Sequence, residues 1–200
     1  MAITAEAVKA LREKTGAGMM DCKKALQESN GDFDKAIEYL RKKGASIAQK
    51  RSDKLANQGV IEAYIHTGGR VGTLVEVNCE TDFVAKTDDF KRLAKDIAMQ
   101  VAAMNPRYVS REDVDGSVLE KEIEIYKTQA KNEGKPDTIA EKIAQGRLEK
   151  FYQELCLLEQ SFIKDSTKTV QDLLNEATAK IGENIRVNRF QTFHLGENSN

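Results

Sequence analysis

Two β-rich runs, Val60–His66 and Val71–Cys79, are separated only by Thr67-Gly68-Gly69-Arg70. So short a glycine-rich link is a hairpin signal, because tight hairpin turns demand a positive φ that glycine accepts. The periodicity then changes. Phe90, Leu93, Ala94, Ile97, Ala98 and Val101 recur at helical spacing and trace one apolar face that ends before Asn105-Pro106. A chain that passes from strand period to helix period in this way is expected to be α+β, with a small antiparallel sheet packed with helices.

The remaining segments are helical apart from one. From Thr4 to about Lys43 three short helices follow one another, marked by Val8 and Leu11, by Met19, Cys22, Ala25 and Leu26, and by Ala36, Ile37 and Leu40. Thr15-Gly16-Ala17-Gly18 breaks the first pair, and Asn30-Gly31-Asp32 ends the second helix and supplies an N-cap for the third. Ser110 to about Lys164 predicts a helical hairpin, with Ser117-Val118-Leu119-Glu120 as a capping box and Gly134-Lys135-Pro136 between its arms. Its second arm carries Ile139, Ile143, Leu148, Phe151, Leu155 and Leu158. Thr169–Ile181 predicts a last amphipathic helix, and Ile185–Phe193 alternates like a strand that returns to the hairpin. The expected organisation is a three-helix module over 1–43, then a connector over 44–58, helical in part through Ala45, Ile47, Ala48 and Leu55. An α+β core over 59–195 contains the helical hairpin at about 110–164, and a tail covers 196–200. Three strands leave exposed edges, which helices or a second copy of the chain would cover.

Composition excludes several classes. Of 200 residues, 32% are charged and 40% hydrophobic, and no apolar run reaches the roughly 20 residues that span a membrane. The start Met1-Ala2-Ile3-Thr4-Ala5-Glu6 lacks a basic head and apolar stretch, so a cytoplasmic location is expected. Cys22, Cys79 and Cys156 are widely spaced and read as reduced thiols, with Cys156 either buried or at a dimer contact. With 31 basic and 32 acidic residues the net charge is −1, so no long-range field draws the molecule to nucleic acid. Arg41-Lys42-Lys43, with Lys50, Arg51 and Lys54, reads as a solvated helix end before it reads as an RNA surface.

No catalytic constellation is present in the sequence. There is no phosphate-binding Gly-x-x-x-x-Gly-Lys-Ser/Thr loop and no Cys-x-x-Cys pair. His66 and His194 fall at a hairpin end and near the terminus, positions that suit surface histidines better than a metal pair. Glu80 and Asp82 are too common a pairing to assign acid–base or Mg²⁺ roles without further groups. The expectation is no catalytic residue, no cofactor and no metal site.

One residue resists a bland reading. Phe83 follows Asp82 and precedes Lys86, Thr87, Asp88 and Asp89, the surroundings of a solvated strand-to-helix connection. An isolated aromatic usually packs under the next helix, but Glu76-Val77-Asn78-Cys79-Glu80-Thr81-Asp82-Phe83-Val84 closely resembles a signature of the elongation factor Ts family. Leu11-Arg12-Glu13-Lys14-Thr15-Gly16-Ala17-Gly18-Met19-Met20-Asp21-Cys22-Lys23-Lys24-Ala25-Leu26 is similar to that family's amino-terminal motif. Gly146–Phe151 and Leu157–Gln160 also resemble it.

The resemblance implies an amino-terminal bundle of ubiquitin-associated type and a short form with a single core subdomain, two copies of which would associate. It implies guanine-nucleotide exchange on the translational GTPase elongation factor Tu, with release of GDP and Mg²⁺. Thr81, Asp82, Phe83 and Val84 would displace the partner's Mg²⁺ site. Arg12, Gly16, Ala17, Gly18, Met19 and Met20 would form a second contact. The rival class is a translation-associated adaptor whose bundle binds another protein or a ribosomal surface while the core is structural, and a hydrolase is the third and weakest reading.

Overall fold

The computed structural model describes residues 3–197; the first two residues of the expected 1–43 module and the last three of the 196–200 tail lie outside the described residues. Helices α1 (Ala5–Thr15), α2 (Met19–Glu28) and α3 (Phe33–Arg51) open the chain. Thr4 caps α1 by accepting from the Ala7 N–H at 3.2 Å, and Asp32 caps α3 by accepting from Lys35 at 3.1 Å. Val8, Leu11, Cys22, Ala25, Leu26 and Ala36 form their common core. Met19, which shares the helical spacing of that face, is exposed in the first turn of α2, ahead of the buried Cys22, Ala25 and Leu26.

Helix α3 does not stop near Lys43. It runs through buried Gly44, where a Cβ would sit 3.6 Å from the Asn175 carbonyl and 3.8 Å from the Ala179 Cβ, both on helix α8 (Val170–Ile181). Arg41 pairs with Asp172, Lys43 with Asp21, Lys42 with Glu38 and Arg51 with Glu80. Much of the basic run is thus already engaged within the fold. Leu55 lies beyond the helix and is exposed, correcting its expected helical placement.

Strands β1 (Gln58–Ile65), β2 (Val71–Cys79) and β5 (Arg186–His194) form a sheet in the order β1-β2-β5. At the hairpin the His66 N–H donates to the Val71 carbonyl at 2.9 Å, and Gly68 and Gly69 have φ of 92° and 67°. Gly59 is required for another reason: a Cβ there would lie 2.1 Å from the Val77 carbonyl oxygen. On β2, Thr73, Val75 and Val77 are buried, and the Thr73 hydroxyl donates to the Ala98 carbonyl at 3.0 Å. Ala98 belongs to helix α5 (Asp88–Met104), on which all six residues of the expected apolar face are buried.

Helices α6 (Gly116–Asn132) and α7 (Asp137–Leu155) make the helical hairpin around a seam that includes the fully buried alanines 130, 140 and 144. Three local expectations fail there. The N-cap is Asp115, whose carboxylate accepts from the Ser117 N–H at 2.7 Å, so the box expected at Ser117 starts too late. Ile139 is exposed, because the small alanines take the contact. The helix ends at Leu155 rather than near Lys164, and β3 (Ser161–Phe162) pairs antiparallel with β4 (Asp165–Thr169).

This second hairpin is held from α5 by buried Gln100. Its amide donates to the Gln160 side chain at 3.2 Å and the Ser161 carbonyl at 3.1 Å, and accepts from the Ile163 N–H at 2.8 Å. Cys156 is fully buried among Val114, Leu148, Phe151 and Tyr152, and burial pushes its thiol up to about 11. All three cysteines are free thiols.

The fold is α+β, and two compact units divide it. One takes the chain up to Glu62 with Glu76–Lys95 and Gln171–Asn188; the other takes Ala63–Val75, Asp96–Val170 and the chain from Arg189. Among the described residues no helix is long and apolar enough to cross a membrane.

Candidate partner-binding site

Strand β2 ends at Cys79, and a four-residue helix α4 (Asp82–Ala85) follows at once. Thr81 is extended at φ −124°, and its hydroxyl oxygen accepts from the Val84 N–H at 3.4 Å. The Cys79 thiol, pushed up to about 11 mainly by burial and next by the Glu183 charge, stays protonated and donates to the Thr81 carbonyl at 3.1 Å. The turn closes downstream where the Thr87 hydroxyl donates to the Val84 carbonyl at 2.8 Å and accepts from the Phe90 N–H at 3.3 Å.

These constraints orient the side chains. Cys79, Ala85 and Phe90 are buried, Val84 is half-buried, and Phe83 stands 79% exposed. Asp82 pairs with Lys86 at 2.6 Å across one turn, a bond that holds its carboxyl below the usual range. Both partners are largely solvated, so the pair orders the turn more than it stabilises the fold. The Lys86 ammonium lies 5.9 Å from the centroid of the Phe83 ring. Thr81, Asp82, Phe83 and Val84 therefore share one small promontory with an aromatic ring in water.

The amino-terminal group lies on a different stretch of the same compact unit. Arg12 is exposed near the end of α1, and its carbonyl accepts from the Gly16 N–H at 2.7 Å. Gly16, at φ 68°, caps that helix, and Gly18 precedes α2. Ala17 is half-buried against the bundle core. Met19 and Met20 are 57% and 73% exposed, so both project from the first turn of α2. Large flexible thioether side chains left in water suit a surface that adapts to a partner.

Three residues behind the promontory carry no signal in the local sequence: Arg51, Glu183 and Asn184. Arg51 donates to both oxygens of Glu80 at 2.9 and 3.0 Å, and the Asn184 N–H donates to the same carboxylate at 2.6 Å. The Asn184 amide also donates to the Lys54 carbonyl at 2.8 Å. Glu183 accepts from the Glu80 and Thr81 N–H groups and from the Thr81 hydroxyl. Glu80 is thus committed to its own fold, which removes it from any acid–base pairing with Asp82.

The Asn184 N–H, and after it Arg51, holds the Glu80 carboxyl below its ordinary 4.5. A carboxylate lowered in the folded state contributes stability that is complete above its unfolded value and is lost as pH falls through its folded value. Melting curves of the parent and Glu80→Gln should therefore differ at neutral pH, with the parent higher, and converge as pH drops below about 4.5. A difference that stays constant across that range contradicts this assignment.

Comparison with known proteins adds to the geometry. Residues 1–197 match the sequence model of a family described as Elongation factor TS. The chain is 66% identical over 195 residues to Elongation factor Ts of Moorella thermoacetica (strain ATCC 39073 / JCM 9320), covering 98% of this chain and 96% of that relative. It is 63% identical over 195 residues to Elongation factor Ts of Thermoanaerobacter sp. (strain X514), with coverage of 98% and 96%. Elongation factor Ts of Carboxydothermus hydrogenoformans (strain ATCC BAA-161 / DSM 6008 / Z-2901) is 64% identical over 195 residues, with coverage of 98% and 90%. The chain belongs to the elongation factor Ts family.

Proposed function

We propose that the chain is a guanine-nucleotide exchange factor for elongation factor Tu in the cytoplasm. It binds the GDP form, promotes release of GDP and Mg²⁺, and leaves when GTP enters. The carrying observation is Phe83, 79% exposed on a promontory between half-buried Val84 and the solvated Asp82–Lys86 pair. An exchange factor needs no catalytic residue of its own. If it binds the nucleotide-free GTPase more tightly than the GDP-bound one, reciprocal linkage weakens GDP by the same factor.

Magnitudes require more than one contact. A thousandfold faster release needs about 4 kcal/mol of barrier reduction, whereas burying one Phe contributes roughly 1.5–3 kcal/mol. Phe83, supported by Thr81, Asp82 and Val84, supplies the wedge in this reading. Met19 and Met20, with Arg12 and the close-approach segment Gly16-Ala17-Gly18, supply the second contact. The paired state of Arg41, Lys42, Lys43 and Arg51 fits a protein partner and requires no direct nucleic acid.

Stopped-flow release of a fluorescent GDP from elongation factor Tu tests this reading. The parent should accelerate release strongly, and Phe83→Ala should lose roughly 10- to 100-fold of that effect, the factor equivalent to the burial energy. Its melting temperature should stay at the parent value, since the ring has little to lose in the free fold. No acceleration by the parent overturns the exchange reading, and equal acceleration by both proteins moves the action to the Met19–Met20 contact.

A homodimer is the second part of the proposal. Ile65, Leu74 and Phe193 are 66%, 44% and 59% exposed on β1, β2 and β5, and Leu195 just beyond is 67% exposed. Large apolar residues left bare on one small sheet suit a second copy of it. Sedimentation should show a dimer that Phe193→Asp dissociates, and a parent that sediments as a monomer at every concentration contradicts this.

A further inference from the structure

We propose that Glu183 is a positioning residue for exchange: its carboxylate fixes the turn that presents Phe83 without itself touching the partner. This rests on the exchange reading above and adds a residue to it. Strand β2 stops at Cys79, which leaves the next backbone N–H groups without strand partners. Glu183 takes both. Its Oε2 accepts from the Glu80 N–H at 3.1 Å and the Thr81 N–H at 3.0 Å, while its Oε1 accepts from the Thr81 hydroxyl at 2.7 Å.

The hydroxyl contact has a directional consequence. A threonine hydroxyl has one proton, and an ionised carboxylate can only accept, so Thr81 must donate to Glu183. Its lone pairs then remain for the Val84 N–H, which is the bond that starts α4. Glu183 thus selects the capping orientation of Thr81, and the cap sets the backbone that carries Phe83. The residue that does this is distant in sequence, since the contacts span 102 and 103 residues. Asn184 secures the base from the next position, through its N–H to Glu80 at 2.6 Å and its amide to the Lys54 carbonyl at 2.8 Å.

Loss of the carboxylate should leave Phe83 intact but presented for only part of the time. A partner that binds one conformer sees its apparent affinity reduced by the fraction of time that conformer is populated. The consequence falls on half-saturation and spares the rate at saturation, because the same ring reaches the same pocket once bound. That separates Glu183 from Phe83, whose removal takes away the wedge and lowers the maximal rate.

The test titrates the parent, Glu183→Ala, Glu183→Gln and Phe83→Ala against elongation factor Tu loaded with fluorescent GDP, well below each protein's melting temperature. If presentation falls to about one conformer in ten, Glu183→Ala raises the half-saturating concentration about tenfold with the maximal rate near the parent's. Glu183→Gln keeps one acceptor oxygen for the two N–H groups and should recover part of the loss; it also carries the test alone where the alanine variant does not fold. Hydrogen exchange on the free proteins gives a readout independent of activity, with the Glu80 and Thr81 amides protected in the parent and faster in the variants.

Parent-like half-saturation in both Glu183 variants, or unchanged amide protection, overturns the assignment while leaving the exchange reading intact. A parent that accelerates nothing overturns both.

Discussion

Burial on either side of Phe83 is the constraint from which the site follows. Cys79 at the end of β2, Ala85 in α4 and Phe90 in α5 all sit in the interior, and the chain between them has only a few residues in which to turn. With Thr81 capping α4 and Thr87 closing it, the second residue of that helix has no inward direction left to it. The aromatic ring is therefore in water because its neighbours have filled the core, and the isolated chain forgoes roughly 1.5–3 kcal/mol of burial that a partner can recover.

An exchange factor works by differences in affinity, and the distribution of order in this chain suits that task. The residues proposed to meet the partner are exposed, and those that set their geometry are fixed by hydrogen bonds from distant segments. Arg51 at the end of α3 engages Glu80 beside the promontory, and α3 also carries part of the bundle that presents Met19 and Met20. Both proposed contacts thus belong to one compact unit with a shared helix behind them. Ordering that is complete before association does not have to be supplied during it.

How far the sequence reveals this depends on the range of the interaction. The β1–β2 hairpin and the α5 face are legible because each is written locally, in Gly68-Gly69 and in a helical repeat whose six members are all buried. The exposure of Phe83 is not settled by its polar surroundings, where an isolated aromatic ordinarily packs under the next helix; the family signature around it is what points outward. The short helix α4 is not legible locally, since its cap depends on Glu183 about a hundred residues away. The β3–β4 hairpin is hidden for a similar reason: Asp165–Thr169 is polar, and its support comes through Gln100, a polar residue in the buried part of α5. The start of α6 shows local signals in competition, with Asp115 capping ahead of Ser117. Met19 shows that helical spacing tells which side of a helix is apolar but not where along the helix burial begins.

Reciprocal linkage is the central claim, and calorimetry tests it most directly. The affinity of the chain for elongation factor Tu is measured without nucleotide and again with saturating GDP. The affinity of elongation factor Tu for GDP is then measured with and without the chain. Exchange by differential binding requires tighter binding to the nucleotide-free form, and the two ratios must be equal. Equal affinity of the chain for both forms of the GTPase would contradict it.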